Sequence, residues 1–294
     1  MKPLALALFG ALLALPVLPA APADAPPLLK PVNLAVNTRA DEDDPFLASK
    51  GLTLYYACNA KGKWDIMFSS RSSTRKIWPA GEILQDYIAT AADDRGTWVT
   101  TEGRYPQYMY FASKQDKAND NFDLYVAVKQ GPTKAFTEPR AVVNVNTPAD
   151  EMHPWLSADG KQLYFSRKTK EGWRVFVVAR RSATGPQGFG EPALVKELSA
   201  GFHHPTLTSD GGTMYLQGPL EKERWGLFVA RKSGATWGKP VALEQLNHPA
   251  GPTGDRSPCL SRDGTMLYFA SDRPGGKGGL DLYVIRTVEL KVKK

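Results

Sequence analysis

The stretch DEMHPWLSADGKQLYFS, Asp150 to Ser166, sets an acidic pair and a histidine ahead of a proline, an apolar run, a Ser-Ala-Asp-Gly turn and an aromatic strand. In isolation Asp150, Glu151 and His153 read as a catalytic or metal-binding set. The chain, however, repeats the same pattern. HPWLSADGKQLYFS from His153 returns as HPTLTSDGGTMYLQ from His204, SPCLSRDGTMLYFA from Ser257 and DPFLASKGLTLYYA from Asp44, and in degenerate form as GTWVTTEGRYPQYMYFA from Gly96. With the proline (Thr97 in the degenerate copy) as anchor, the anchors stand at 45, 97, 154, 205 and 258. A period near 50 residues built from short strands is the mark of a propeller blade.

Each anchor leads into an apolar strand, a glycine-bearing turn and a second apolar strand. A variable loop then precedes a third, β-branched and aromatic strand: WDIMFSS from Trp64, FDLYVAV from Phe122, WRVFVVA from Trp173, WGLFVAR from Trp225 and LDLYVIR from Leu280. A fourth segment carries an internal proline, in IWPAGEIL, FTEPRAVVNVN, FGEPALVKEL and WGKPVALEQLN. Proline cannot donate to a ladder, so this strand belongs at the outer edge. The fifth unit has no such segment after Leu280–Arg286; its counterpart is LKPVNLAVN, Leu29 to Asn37. The expectation is an all-β, five-bladed β-propeller of four-stranded antiparallel blades, one domain over residues 26–294, with its ring closed by the N-terminal strand.

The Ser-Xaa-Asp-Gly turns assign Asp159, Asp210 and Asp263 to hairpins, the carboxylate accepting local N–H bonds and the glycine supplying a positive φ. Asp65, Asp123 and Asp281, ahead of the third strands, read as turn caps. These residues, Pro-Xaa-Leu-Ser-Xaa-Asp-Gly followed by Asp-Leu-Tyr-Val, resemble the WD-like repeat of TolB-type propellers, and NVNTPADEMHP from Asn144 is similar to the linkers of envelope proteins that pair such propellers with peptidoglycan-binding domains. The resemblance covers residues 29–290. It departs from TolB in having five units where six are expected, and in lacking both an N-terminal α/β domain and a peptidoglycan-binding domain. It implies non-catalytic binding of a partner at a propeller face or the central channel, and does not imply a place in the Tol assembly.

Comparison across the units singles out two positions. Three residues before the anchor stand Glu42, Asp94, Glu151, Phe202 and Asp255; one residue before it stand Asp44, Gly96, His153, His204 and Ser257. Pseudo-symmetry sets both rows around one mouth of the channel, making Asp44, Asp94, Glu151, His153, His204 and Asp255 the candidates for a binding face. The bland alternative is that the acids cap strands and pair with cations such as Arg167 and Arg273. His153 and His204 with Glu151 are the metal-ligand candidates, two imidazoles and a carboxylate being a zinc-type set. A glycoside hydrolase is the alternative function, with Asp44, Asp94 and Glu151 as the carboxylates that reaction needs. No other catalytic residue and no cofactor motif is read: there is no Gly-Xaa-Ser-Xaa-Gly elbow, and PGGKGGLD from Pro274 lacks the Lys-Ser/Thr ending of a phosphate loop. Trp78, Trp155 and Trp237 read as blade packing rather than as sugar platforms.

The first 25 residues, a basic start at Lys2 with an apolar run from Leu4 to Leu18 and Ala-Xaa-Ala sites, read as a cleaved secretory signal peptide, and no later segment is apolar enough to span a bilayer. A periplasmic or secreted monomer is expected. Its charge of +7 is scattered rather than clustered, which favours a soluble surface with an envelope protein or an anionic or glycan polymer as partner, and no nucleic acid. Cys58 and Cys259 lie in blades that ring closure makes neighbours, so a disulfide is open to them in an oxidising compartment, with two buried free thiols as the preferred reading.

Overall fold

A computed structural model describes residues 27–290 apart from Ser49, Asp86, Glu102, Lys117, residues 182–184 and Lys222. The expected signal peptide lies outside the described residues. These residues form five antiparallel sheets arranged as a five-bladed propeller, with no α-helix among them. Blades are numbered here by the order of their inner strands: Glu42–Leu47, Asp94–Val99, Glu151–Leu156, His203–Leu207 and Asp255–Leu260. Each inner strand packs against the next, and that of blade 5 against that of blade 1, so the ring is complete.

The outer strands are short. Arg140–Ala141, Ala193–Leu194 and Val241–Ala242 begin directly after Pro139, Pro192 and Pro240, while Glu82–Ile83 begins three residues after Pro79. Blade 5 takes its outer strand from the other end of the chain: Val32–Asn33 pairs antiparallel with the strand Asp281–Arg286. Asn37 extends this closure, its side-chain amide accepting from Leu282 N at 2.8 Å and donating to Leu282 O at 2.9 Å. Asn146 makes the same pair of bonds to Leu124 and Asn247 to Leu227. An asparagine after the outer strand thus acts as one further rung on the third strand in three blades.

The Ser-Xaa-Asp-Gly turns form a relay. Asp159 accepts from Ser157 Oγ and Lys161 N, and Ser157 Oγ in turn accepts Gln162 N at 2.9 Å. Thr208 with Asp210, and Ser261 with Asp263, repeat the arrangement. Gly160, Gly211 and Gly264 all sit near φ +70°, a region costly for residues with a Cβ.

The core lies between blades. Leu54, Tyr110, Phe111, Phe165, Leu216 and Phe269 are fully enclosed, and both faces of each second strand are covered by the neighbouring sheets. Directly after the anchors, Phe46 meets Trp98 at a tilt of 50° with ring centroids 6.0 Å apart, and Trp155 edge to face at 6.4 Å. Trp78 and Trp237 are likewise buried.

Candidate functional site

The residue before each anchor adopts the left-handed region: Asp44 at φ +48°, Gly96 at +64°, His153 at +54°, His204 at +55° and Ser257 at +53°. Every inner strand slips register at this point, between Asp43 and Phe46, Arg95 and Trp98, Met152 and Trp155, His203 and Thr206, and Arg256 and Cys259. This is a β-bulge repeated around the ring, and a bulge re-aims the side chain it carries. The row converges on the axis, where Asp44, His153 and His204 line a cavity of about 20 Å³. Gly96 is adjacent; a Cβ there would stand 3.4 Å from His153 N.

Within this cavity Asp44 Oδ1 stands 3.7 Å from His153 Nε2 and 3.6 Å from His204 Nδ1, and accepts a hydrogen bond from Ser257 Oγ at 3.1 Å. The two imidazoles stack with centroids 3.8 Å apart. His153 Nδ1 lies 3.2 Å from Ser166 Oγ, which also accepts the backbone N–H of His204 at 2.8 Å. Burial holds all the imidazoles of the cluster uncharged, His153 well below the ordinary histidine range, His204 down to about 4 and His203 down to about 3. For His153 and His204 the closeness to Asp44 is therefore a contact of neutral rings with a carboxylate rather than an ion pair. His203 turns away from the axis, its Nδ1 on Gly201 O at 2.9 Å and its ring stacked on Trp173.

The acids three residues before the anchor do not share this space. Glu42 accepts the N–H and hydroxyl of Thr38, and Asp94 accepts the same pair from Thr90 together with Ser113 Oγ. Asp255 takes His248 N and Arg273 Nη2, at 2.6 Å each. Glu151, the expected third metal ligand, accepts Thr147 N and Oγ1 and the Arg167 guanidinium at 2.7 Å. Each ties the loop entering its blade to the start of the inner strand. The carboxylate beside the two histidines is Asp44, not Glu151. The bulge is the physical reason: two residues of the inner strand stand against one of its partner, and this single extra residue breaks the alternation that would bring both rows to one face.

Sequence comparison passed over the row between, two residues before the anchor. There Asp43 joins Arg95 Nη2 at 2.5 Å and Arg256 Nη2, while Arg95 Nε reaches Asp44 Oδ2 at 2.5 Å. Blades 5, 1 and 2 are thereby linked by a buried ionic network. Burial would raise the Asp43 carboxyl, but the Arg256 and Arg95 guanidiniums outweigh it and hold it well below the usual carboxylate range. The readable signal was an acid flanked by arginines at equivalent positions of blades that ring closure makes neighbours.

The glycine-rich loop from Pro274 folds around a carboxylate of its own chain. Lys277 N and Gly278 N donate to Asp281, and a Cβ on Gly276 would collide with the same group.

No protein-family model and no curated protein matches the chain. Solved structures do. An α-L-arabinofuranosidase from Podospora anserina superposes with a TM-score of 0.59 at 11% identity over 89% of this chain and 94% of its own. An endo-arabinase from Bacteroides thetaiotaomicron gives 0.58 at 15% identity over 89% and 98%. TolB from Acinetobacter baumannii gives 0.51 at 13% identity over 83% of this chain and 54% of its own. The likeness is one of fold. Hydrolases and TolB share the blade arrangement with this chain, so the scaffold does not choose between their functions.

Proposed function

We propose that the protein is an exported, non-enzymatic propeller of TolB-like character that binds an anionic polymer of the cell envelope at its surface. Export rests on the signal-like sequence of residues 1–25. The observation that carries the binding reading is a groove of about 580 Å³ at the seam between blades 5 and 1. Arg71, Arg75, Lys76 and Arg262 line it against a single acid, Asp263. Arg71 lies 3.9 Å over the Trp78 ring and donates to Gly51 O and Lys76 O, which fixes one wall, while Arg75 and Lys76 stand exposed beside Ile77. Cationic heads on an apolar wall suit a chain of carboxylates or sulfates, and the attraction is screened by salt.

The hydrolase alternative needs two carboxylates flanking a sugar, roughly 5–10 Å apart. Of its candidates, Asp94 and Glu151 are buried and taken up by loop hydrogen bonds, and Asp44 is bound by Arg95 beside a cavity of only about 20 Å³. That geometry supports a binding module over a hydrolase.

Two measurements test the reading. Immobilised heparin and polygalacturonate should retain the tag-free protein at low salt, and an Arg75→Glu/Lys76→Glu variant should lose most of that retention. Equal retention of both proteins would place the polyanion elsewhere. Arabinan and aryl-arabinofuranosides should be left intact; turnover abolished by Asp44→Asn would establish the hydrolase instead.

A further inference from the structure

We propose that Asp44, His153 and His204 bind a single divalent transition-metal ion of the zinc class, through Asp44 Oδ1, His153 Nε2 and His204 Nδ1. These three donors come from blades 1, 3 and 4 and all lie within 4.8 Å of one another. At 3.6 and 3.7 Å the carboxylate–imidazole separations are too long for hydrogen bonds. They are close to the edges of a tetrahedral shell with metal–ligand distances of about 2.0–2.2 Å, whose corners stand roughly 3.3–3.6 Å apart.

An independent observation points to the same ligand. His204 Nδ1 is buried with no hydrogen-bond partner, and the residue is 7% exposed. A buried ring nitrogen without a partner loses its hydration for nothing in return. With its proton on Nε2, His204 directs a free lone pair from Nδ1 into the cavity, and a metal ion satisfies it.

The surroundings orient the other two ligands. His153 Nδ1 lies on Ser166 Oγ; with the proton on Nδ1 donated to that oxygen, Nε2 is left free for the ion. Arg95 takes Oδ2 of Asp44 and Ser257 donates to Oδ1, so the carboxylate is fixed with one oxygen facing the imidazoles. A cavity of about 20 Å³ holds one ion or one water, and the remaining corner of the shell is left to solvent.

Backbone conformation adds weight. Asp44, His153 and His204 hold φ values of +48°, +54° and +55°, positions where a residue with a Cβ costs on the order of 1 kcal/mol and where blade 2 carries glycine. Three of the five axial slots are filled with metal-ligating types, in blades 1, 3 and 4, where blade 2 has glycine. Two histidine nitrogens and one carboxylate oxygen favour zinc, nickel or copper over calcium or magnesium, which prefer all-oxygen shells.

The test is a calorimetric titration of the tag-free, chelator-treated protein with zinc chloride. The expected result is one saturable site per chain, weakened more than about 100-fold in His204→Ala and about 10- to 100-fold in Ser166→Ala, the range for loss of an orienting partner. Zinc should also raise the thermal midpoint of the wild type and leave that of His204→Ala unmoved. Cobalt(II) read on the wild type alone avoids reliance on variants that fail to fold: intense visible d–d absorption, titrating to one equivalent and displaced by zinc, supports a four-coordinate nitrogen–oxygen site. No stoichiometric uptake of zinc or cobalt, or the same zinc affinity in wild type and a folded His204→Ala, overturns the proposal.

Discussion

Asn37 and Leu282, 245 residues apart, exchange two hydrogen bonds, the asparagine amide reading the backbone of the third strand as a neighbouring strand would. Together with the two-residue pairing of Val32 and Asn33 to Val284 and Tyr283, this seals blade 5 with the opposite end of the chain. Asn37→Ala leaves the buried N–H of Leu282 without its partner, while Leu282 O keeps the Leu34 N–H, and should cost about 1–3 kcal/mol in denaturant unfolding. Asn247→Ala, which removes the same pair of bonds inside blade 4, should cost a similar amount. A much smaller effect at Asn37 would mean that the closure contributes little to ring stability.

Cys58 and Cys259 are both buried and free, so the disulfide that ring closure left open is not formed. Burial pushes the Cys58 thiol up to about 11 and the Cys259 thiol up to about 12, which leaves almost no thiolate at neutral pH. Ellman's reagent should find no reactive thiol in the native protein and two in guanidinium without reductant. None in guanidinium would establish a bridge.

Removal of Asp43 sets two arginines against each other. Arg95 and Arg256 both donate to this one buried carboxylate, so Asp43→Ala should lower unfolding stability by about 3–5 kcal/mol. Arg256→Leu should cost less, because that side chain is 21% exposed and its loss leaves the buried Asp43 still paired with Arg95. Equal losses in both variants would argue that the network acts only by filling space.

Asp94 carries a pH dependence of opposite sign to an ion-paired acid. Burial raises its carboxyl above the ordinary 3.8, against the hydrogen bonds from Ser113 and Thr90 that lower it. The folded state therefore binds a proton before the unfolded state does, and this group's contribution to stability grows as pH falls through the interval above 3.8. Relative to Asp94→Asn, the wild type should gain stability between pH 7 and pH 4.5 in chemical denaturation. An unchanging difference would place the carboxyl at its unperturbed value.

The hairpin relays are local. Asp159→Ala and Asp210→Ala each remove hydrogen bonds from an exposed turn and should cost about 0.5–1.5 kcal/mol. Gly211→Ala, at φ +68°, should cost about 1 kcal/mol through backbone strain alone, since nothing lies within 4 Å of its added Cβ. None of the three should change heparin retention or zinc uptake, because the turns stand apart from the groove and the axial cavity.

The repeat determined the blades. Anchors near every fiftieth residue, prolines at the edge segments, Ser-Xaa-Asp-Gly turns and the transfer of Leu29–Asn37 to the last blade are local signals of strand, edge and turn, and they add up because each blade buries its faces only against its neighbours. The axis was legible in part. Sequence alone aligned Asp44, His153 and His204 in one row, but it set Glu151 beside them and passed over Asp43, Arg95 and Arg256. Only the tertiary structure decided these points. A left-handed bulge in every inner strand interrupts the alternation of side chains, so residues two apart no longer share a face, and neither the bulge nor its direction is written in the pattern of apolar residues. Pairing across blades depends in turn on how five sheets close about a common axis. Contacts such as Asp43 with Arg256 join residues 213 apart and exist only once the ring is complete.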